Sequence, residues 1–307
     1  MSDMDMLSAC DLSLRQINTI MRLSKELSSP GSPGRKAPGR KGAFVLLFQK
    51  PSIRTRLSLE TAAAELGYLP IYIDAETTHL SRGESIADTS HVMGLYAKMV
   101  AARLHSQDDL STMAEASEVP VINALTETEH PCQALSDLYT ILEAKRRLAG
   151  LKLAFVGDVA ANTANSLMVL CAKAHIDISL VYPKGYAPNR HYLDIASSYG
   201  NVELHHSVRE GVNDADVVYV DTFVSMGQEA TARSRLRLFA GYQVNARLMS
   251  HAKRNAILMH CLPAHRGEEI TADVIDGSQS VVWRQARNKL LVEKAIITFI
   301  ERESAKA

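Results

Sequence analysis

The sequence predicts an α/β protein with two similar-sized parallel-sheet domains, and three observations support this. The chain has 307 residues, about twice the ~150 residues of a typical domain. Hydrophobic residues make up 46% and charged residues 22%, a balance typical of globular proteins with a large buried core. Short apolar runs alternate with amphipathic stretches along both halves, which is typical of βα units and parallel sheets.

In the first half, four apolar runs predict the strands Ala43–Phe48, Leu69–Asp74, Lys98–Ala102 and Val119–Ala124. Apolar residues spaced i, i+3, i+4 and i+7 predict helices within Leu59–Leu66 and Leu135–Leu142. The second half repeats the pattern from Leu151, with predicted strands in LKLAFVG, DISLVY, DVVYV and NAILMH. Helices are expected from about Thr163, Asn189 and Ala246, and a helix Gln133–Leu148 would connect the halves.

Charge and cysteine usage argue against several classes of partner and compartment. Lys plus Arg and Asp plus Glu both number 34, so no net field attracts nucleic acid or an anionic membrane. The start MSDMDML is acidic and lacks the features of a signal peptide, and no run of ~18 apolar residues is present. Cys10, Cys132, Cys171 and Cys261 are widely spaced, which disfavours disulfide and zinc frameworks. The sequence predicts a cytoplasmic protein that binds neither nucleic acid nor membrane.

The segment LLFQKPSIRTRLSLE has the features of an anion site. A buried strand leads to Ser52, a favourable N-cap, and a helix follows at once. Free amides at such a helix start bind phosphate, and Arg54 and Thr55 on the first turn would add donors. No G-x-x-x-x-G-K-[ST] motif is present, so this is not a P-loop. From these residues alone, a capped helix with surface arginines is an equally open interpretation.

Three further strings accompany SIRTR: EHPCQALSDL from Glu129, DTFVSMGQE from Asp221 and MHCLPAHRGEEIT from Met259. In their order and spacing, the chain resembles the aspartate/ornithine carbamoyltransferase family along essentially its whole length. SMG together with HCLP is similar to the ornithine branch. Four separate motifs of several residues make a chance resemblance very improbable.

The resemblance implies two α/β domains with the active site in the cleft between them, and a homotrimer. Residues 1–148, completed by a C-terminal helix 284–307 that packs back on them, would bind carbamoyl phosphate. Residues 149–283 would bind ornithine. The implied reaction is carbamoyl transfer to the δ-amine of ornithine, a step of the arginine-biosynthesis type that needs no metal and no organic cofactor.

The same resemblance implies roles for individual residues. The catalytic residues would be Arg103, His130, Asp221 and Cys261. Carbamoyl phosphate would contact Ser52, Ile53, Arg54, Thr55, His79, Arg103, His130, Gln133, Cys261, Leu262 and Lys289. Ornithine would contact Asn162, Asp221, Ser225 and Met226.

The amine sets a separate chemical requirement. An alkylammonium group has a pKa of ~10.4, so its neutral form costs roughly 4.6 kcal/mol at pH 7. Asp221 and Cys261 each follow a predicted strand, which places both at the carboxyl edge of the second sheet. A covalent role for Cys261 with His260 as base is disfavoured, because adjacent strand side chains point to opposite faces.

Three residues depart from the family pattern on the carbamoyl phosphate side. Ile53 stands where the ornithine branch usually has threonine, and His79 where a glutamine reaches into the neighbouring subunit's site. Lys289 stands where an arginine is usual, and it keeps the charge but loses the bidentate fork. We therefore expect weaker binding of carbamoyl phosphate than in a relative with the full set.

Three alternatives follow from the sequence. The acceptor could be another amine, such as putrescine, lysine or an acylated ornithine, since no arginine is assigned to an α-carboxylate. The altered carbamoyl phosphate positions also fit a non-catalytic trimeric paralogue. An oxidoreductase is the weakest alternative, because FVGDVAANT lacks the glycine spacing of a dinucleotide loop.

Overall fold

The computed structural model describes residues 5–28, 41–224 and 229–306. The chain divides into two compact units. Unit 1 contains residues 1–139 and 287–307, and unit 2 contains residues 140–286. Each unit contains one parallel sheet with helices, so the predicted α/β fold class is confirmed. Among the helices of the described residues, none has the length and apolar composition needed to cross a membrane.

The sheet of unit 1 has four parallel strands in the order β2-β1-β3-β4. The strands are β1 Ala43–Phe48, β2 Leu69–Asp74, β3 Ala97–Arg103 and β4 Val121–Leu125. β1 and β3 are central and almost entirely buried, as expected for apolar runs in a parallel sheet covered on both faces. All four predicted strands are therefore confirmed, two of them with boundaries shifted by one or two residues.

In the described residues, six α-helices contribute to unit 1, and two of them continue into unit 2. They are α1 Leu14–Ser28, α2 Ile53–Glu65, α3 Ile86–Tyr96, α4 Gln107–Ala116, α5 Pro131–Lys145 and α12 Val282–Ser304. The prediction that α5 extends to Leu148 is wrong, because Arg146 adopts a φ of 64°, a left-handed conformation that ends a helix. The end of α12 is held within unit 1, where Lys41 pairs with Glu301 at 2.6 Å and Lys294 pairs with Glu65.

The sheet of unit 2 has five parallel strands in the order β7-β6-β5-β8-β9. The strands are β5 Lys152–Val156, β6 Asp177–Val181, β7 Val202–His205, β8 Val217–Val220 and β9 Ile257–His260. The edge strand β7 was not predicted from sequence. Its residues Val-Glu-Leu-His alternate apolar with polar, so they form no continuous apolar run.

The remaining helices of unit 2 are α6 Asn162–Lys173, α7 Arg190–Tyr199, α8 Val208–Val212, α9 Ala232–Phe239, α10 Ala246–Met249 and α11 Ala272–Ile275. α6 and α7 begin within one residue of their predicted starts. The helix predicted from Ala246 is only a single turn, capped by Asn245, whose Oδ1 accepts from the Leu248 amide at 3.0 Å. Polar residues follow Met249 and provide no apolar face to extend this helix.

Phe155 is central to the core of unit 2 and provides a test of this packing. It is fully buried on β5 and stacks on Tyr219 of β8, with ring centroids 5.3 Å apart. Phe155→Ala should lower the free energy of unfolding of unit 2 by about 3–5 kcal/mol, measured by urea denaturation followed by circular dichroism. The control Leu204→Ala, on the exposed face of β7, should change it by only about 0.5 kcal/mol. Equal effects of the two variants would contradict the assigned core.

Candidate functional site

The strand ends of unit 1 bring the predicted anion-binding residues to one edge of its sheet. Phe48 at the end of β1 pairs with Arg103 at the end of β3, and Arg103 pairs with Leu125 at the end of β4. The segments after these strands carry Ser52 and His130. Carboxyl ends of neighbouring parallel strands form the usual location of α/β sites.

The start of α2 has the predicted capping geometry. Ser52 is extended, and its Oγ accepts a hydrogen bond from the Thr55 amide at 3.3 Å. Thr55 is buried and Arg54 is half-buried, whereas Ile53 is 69% exposed. The helix amides and the Arg54 guanidinium therefore occupy the same first turn, an arrangement that suits an anion.

Arg103 is a buried cation close to other cations. It is only 4% exposed, and its Nε donates to the Lys50 carbonyl oxygen at 3.1 Å. Burial and the nearby Arg54 lower the pKa of Arg103 to about 10. Burial and Arg103 also lower the pKa of Lys50 from its usual value. A group with two negative charges would relieve this repulsion.

Gln133 links α5 to α12 within unit 1. Its Nε2 donates to Asp137 Oδ1 at 2.9 Å, and its Oε1 accepts from Lys289 Nζ at 3.1 Å. All three side chains are buried. Because Asp137 accepts from the amide nitrogen and Lys289 donates to the oxygen, the orientation of the Gln133 amide is determined.

His130 lies beside the same cations. Burial, followed by Lys289, Arg103 and Arg54, lowers the pKa of its imidazole well below the usual value. The ring is therefore neutral at neutral pH. A neutral imidazole can donate one hydrogen bond without adding a further positive charge to this region.

His79 is placed differently from the other predicted contacts. It is exposed and begins the 3₁₀ turn His79–Arg82, which follows the edge strand β2. Its predicted role at a neighbouring subunit stays a prediction.

In unit 2, three adjacent strands position the predicted ornithine residues. Val156 of β5 pairs with Val220 of β8, which pairs with His260 of β9. Asp221 and Cys261 directly follow the last two, and Asn162 begins α6 after β5. The parallel register thus places these three residues along one edge of the second sheet.

Asp221 and Cys261 contact each other across that edge. Cys261 Sγ donates to Asp221 Oδ1 at 3.0 Å, and the Thr222 amide donates to the same oxygen at 2.7 Å. Two donors on one oxygen hold the carboxylate in a defined orientation. Such a carboxylate can accept a hydrogen bond from an alkylammonium group.

His260 supports the backbone beside Cys261. Its Nδ1 accepts from the Leu262 amide at 2.8 Å, and its Nε2 lies 3.2 Å from Glu269 Oε1. Leu262 has a φ of 60°, a left-handed conformation that costs a non-glycine residue about 1–3 kcal/mol. The side chain of His260 thus stabilises a strained turn.

Asp221, His260 and Cys261 are residue types that can also bind a metal ion. One ligand atom each from Asp221, His260 and Cys261 lies within 4.8 Å of the others. However, the Leu262 amide occupies the lone pair of His260 Nδ1, and Glu269 faces the other ring nitrogen. The geometry favours a hydrogen-bonded network.

Ser225 and Met226 lie outside the described residues. The chain before and after them is anchored in unit 2 through Arg235 of α9. Arg235 Nε donates to the Phe223 carbonyl at 2.7 Å, and its Nη2 pairs with Asp158 Oδ2 at 2.5 Å. Asp158 and Arg235 are both buried, so this pair connects the end of β5 to the segment that follows β8.

Several buried polar residues were not identified from sequence. They are Glu129, Asp137, Asp158, Arg235, Glu269 and Glu293. Glu129 precedes His130 and accepts from the Ala9 amide at 2.8 Å and from Ser8 Oγ, which ties this loop to the N-terminal segment. A signal was available for two of them, because Glu129 and Asp137 both lie within the string EHPCQALSDL.

The pKa of His130 offers a direct test of the cation cluster. In histidine-labelled protein, NMR titration should show that the His130 ring does not protonate near its ordinary pKa of 6.5. Lys289→Met should raise the pKa of His130, because one nearby positive charge is removed. Lys294→Met, which removes a lysine paired with Glu65, is the control and should leave it unchanged. An unchanged pKa in Lys289→Met would contradict the proximity of these groups.

Comparison with known families matches nearly the whole chain. Residues 4–143 match the model of the aspartate/ornithine carbamoyltransferase carbamoyl-P binding domain. Residues 149–300 match the model of the Asp/Orn binding domain of the same family.

Individual relatives give the same result. An anabolic ornithine carbamoyltransferase of Pyrococcus furiosus is 42% identical over 304 residues, covering 96% of each chain. An ornithine carbamoyltransferase of Carboxydothermus hydrogenoformans is 44% identical, covering 96% of this chain and 97% of the relative.

Solved structures agree with the sequence comparisons. The P. furiosus enzyme structure superposes with a TM-score of 0.90 at 42% identity, covering 96% of each chain. The anabolic enzyme of Campylobacter jejuni superposes with a TM-score of 0.91 at 32% identity, covering 97% of this chain and 99% of that one. The chain therefore belongs to the aspartate/ornithine carbamoyltransferase family.

Proposed function

We propose that this protein transfers the carbamoyl group of carbamoyl phosphate to the δ-amine of L-ornithine, forming L-citrulline and phosphate, a step of arginine biosynthesis. One observation carries the proposal. The unit that matches a carbamoyl-P binding domain gathers Arg103, His130 and Lys289 in a buried cluster suited to an anion. Relatives at 42–44% identity over 96% of the chain are ornithine carbamoyltransferases, which supports ornithine as the acceptor.

Unit 1 carries the groups suited to carbamoyl phosphate. Ser52, Thr55, Arg54 and the first amides of α2 bind the phosphate dianion, and Arg103 neutralises it from the end of β3. Neutral His130 donates to the carbamoyl oxygen, where negative charge develops as the amine attacks. Gln133, oriented by Asp137 and Lys289, contacts the carbamoyl group.

Unit 2 carries the groups suited to the amino acid. Asp221 accepts from the δ-ammonium and is oriented by the Cys261 thiol. Asn162 binds the amino acid end, and we assign the same role to Ser225 and Met226. Leu262, whose amide is bonded to His260, presents its carbonyl to the carbamoyl group.

The chemical step balances without a further reactant. The lone pair of the neutral δ-amine forms a C–N bond to the carbamoyl carbon. The bond from that carbon to the phosphate oxygen breaks, and its electron pair leaves with phosphate. The bound δ-ammonium first releases one proton to the solvent, and the attacking amine then gives a second proton to the departing phosphate as the product forms. Because phosphate is a good leaving group once neutralised, the cationic residues supply much of the stabilisation.

We also propose a homotrimer, with His79 beside a neighbouring subunit's site. Unit 1 exposes apolar side chains on α2, α3 and the edge strand β2. They are Ile53, Leu57, Leu69, Ile71, Val92, Leu95 and Tyr96. Exposed apolar side chains along a sheet edge usually indicate an interaction surface, because uncovered edges promote aggregation.

We place the enzyme in the cytoplasm. All four cysteines lie within the described residues, and none of them forms a disulfide bond. Cys261 must be reduced to donate to Asp221, and a reducing compartment keeps it so.

The proposed activity is tested by citrulline formation from carbamoyl phosphate and ornithine. Cys261→Ala should lower kcat/KM, because it removes a hydrogen bond to a charged group, worth ~1.5–3 kcal/mol, or roughly 10- to 100-fold. Cys10→Ala, another half-buried cysteine, is the control. Faster turnover of putrescine than of ornithine would assign a different acceptor, and no product from either would contradict the proposed function.

The proposed trimer is tested by sedimentation of the purified protein. Leu95→Asp should shift the mass from trimer towards monomer, because it places a charge in the apolar surface of unit 1. Leu238→Asp, at a similarly exposed leucine of unit 2, should leave the trimer intact. A monomeric wild-type protein would rule out this assembly.

A further inference from the structure

Glu293 is a buried carboxylate next to the carbamoyl phosphate residues. It lies on α12 one turn after Lys289, and its exposure is 0%. Its Oε1 lies 3.5 Å from Lys289 Nζ, and the same ammonium donates to Gln133 Oε1 at 3.1 Å. Lys289 is therefore shared between the Glu293 carboxylate and the Gln133 amide, to which we assign the carbamoyl group.

The surroundings of Glu293 stabilise its negative charge poorly. Among the described residues, neither of its oxygens has a donor in full hydrogen-bond geometry. The groups acting on it come from three helices: Ser58 of α2, Cys132 of α5 and Lys289 of α12. Cys132 is a buried neutral thiol, since burial and Glu293 raise its pKa to about 12. Within the described part of the chain, Lys289 is therefore the one cation that acts on Glu293.

We propose that Glu293 is a positioning residue for Lys289. While ionised it pairs with Lys289, and it takes up a proton when carbamoyl phosphate binds, so that the positive charge of Lys289 acts on the substrate. This inference rests on the proposed function of the anion site. Glu293 acts through Lys289 and contacts no reacting atom. While ionised, it compensates one positive charge of the cluster. Once protonated, it leaves the full charge of Lys289 for the substrate.

Charge balance explains why the proton would move. Burial raises the pKa of Glu293 to about 7, although Lys289 and Ser58 lower it in part. A dianion bound near Lys289 competes for the ammonium and repels the carboxylate, which raises the pKa of Glu293 further. Substrate binding and proton uptake are then linked, and each favours the other.

The sign of the pH dependence follows from this linkage. Below about pH 7, the pKa of Glu293 in the free enzyme, Glu293 is protonated both with and without carbamoyl phosphate and does not change the affinity. Glu293 has a higher pKa in the complex than in the free enzyme. Between these two values, binding of carbamoyl phosphate takes up a proton, so the affinity for carbamoyl phosphate falls as the pH rises. The slope reaches at most about tenfold per pH unit for one proton.

Glu293→Gln separates charge from packing, because the amide has nearly the same shape as a protonated carboxyl group. We would measure kcat and the KM for carbamoyl phosphate from pH 6 to 9 in wild type, Glu293→Gln and Glu301→Gln. Glu301 is the matched control, a carboxylate of α12 that pairs with Lys41. Titration of the substrate's own phosphate affects all three proteins and cancels in the ratio of their KM values.

The ratio of the wild-type KM to the Glu293→Gln KM should stay near one below pH 7 and rise above it. The same ratio for Glu301→Gln should not vary with pH, and kcat should change less than KM. A pH-independent ratio for Glu293→Gln, or a KM that Glu293→Gln raises across the range, would overturn the proposal.

A second measurement does not depend on turnover. Calorimetric titration of the wild-type protein with carbamoyl phosphate at pH 8, in two buffers of different ionisation enthalpy, should show net proton uptake. Glu293→Gln should show less uptake than wild type. If citrulline formation fails but this difference is present, the proposed function is wrong and the role of Glu293 stands. Equal proton uptake in both proteins overturns the role of Glu293.

Discussion

Cationic side chains buried close together impose the main constraint on unit 1. Burial opposes the charges of Arg103 and Lys50, and so do Arg54 near Arg103 and Arg103 near Lys50. Burial, together with Lys289, Arg103 and Arg54, keeps His130 neutral. The fold tolerates this because fixed acceptors surround the cations. Arg103 has the Lys50 carbonyl, and Lys289 has the Gln133 amide and the Glu293 carboxylate. A site assembled in this way favours a small dianion, since the protein groups compensate only part of its positive charge.

Unit 2 has the opposite electrostatic character at its own strand ends. The central groups there are carboxylates, with Asp221 oriented by Cys261 and Glu269 placed beside His260. A fixed carboxylate complements the positive charge of an alkylammonium group, just as a cation cluster complements the negative charge of phosphate. Each unit thus provides the charge that complements one of the two proposed substrates.

Both units use strand register to position these groups. Most of the functional residues lie at, or a few positions beyond, the end of a parallel strand, so the sheet determines their neighbours, whereas Lys289 comes from α12. Supporting contacts then orient the side chains, as with Asp137 for Gln133 and His260 for Leu262. This combination of rigid strands and buried hydrogen bonds accounts for the burial of so many polar residues at these edges.

Local sequence was sufficient for eight of the nine strands, for the Ser52 cap and for the family, because periodicity, caps and motifs are short-range signals. It was insufficient for edge strand β7 and for the length of α10, where apolar contacts are few. It also missed Glu293 and the buried network around it. Lys289 and Gln133 are 156 positions apart, so only the folded chain shows that they contact each other. Asp221 and Cys261 are 40 apart, and the sequence placed both at one sheet edge, but their hydrogen bond is defined only by the folded chain. The pKa values of His130 and Glu293 depend on burial among distant neighbours, a property that belongs to the tertiary structure alone.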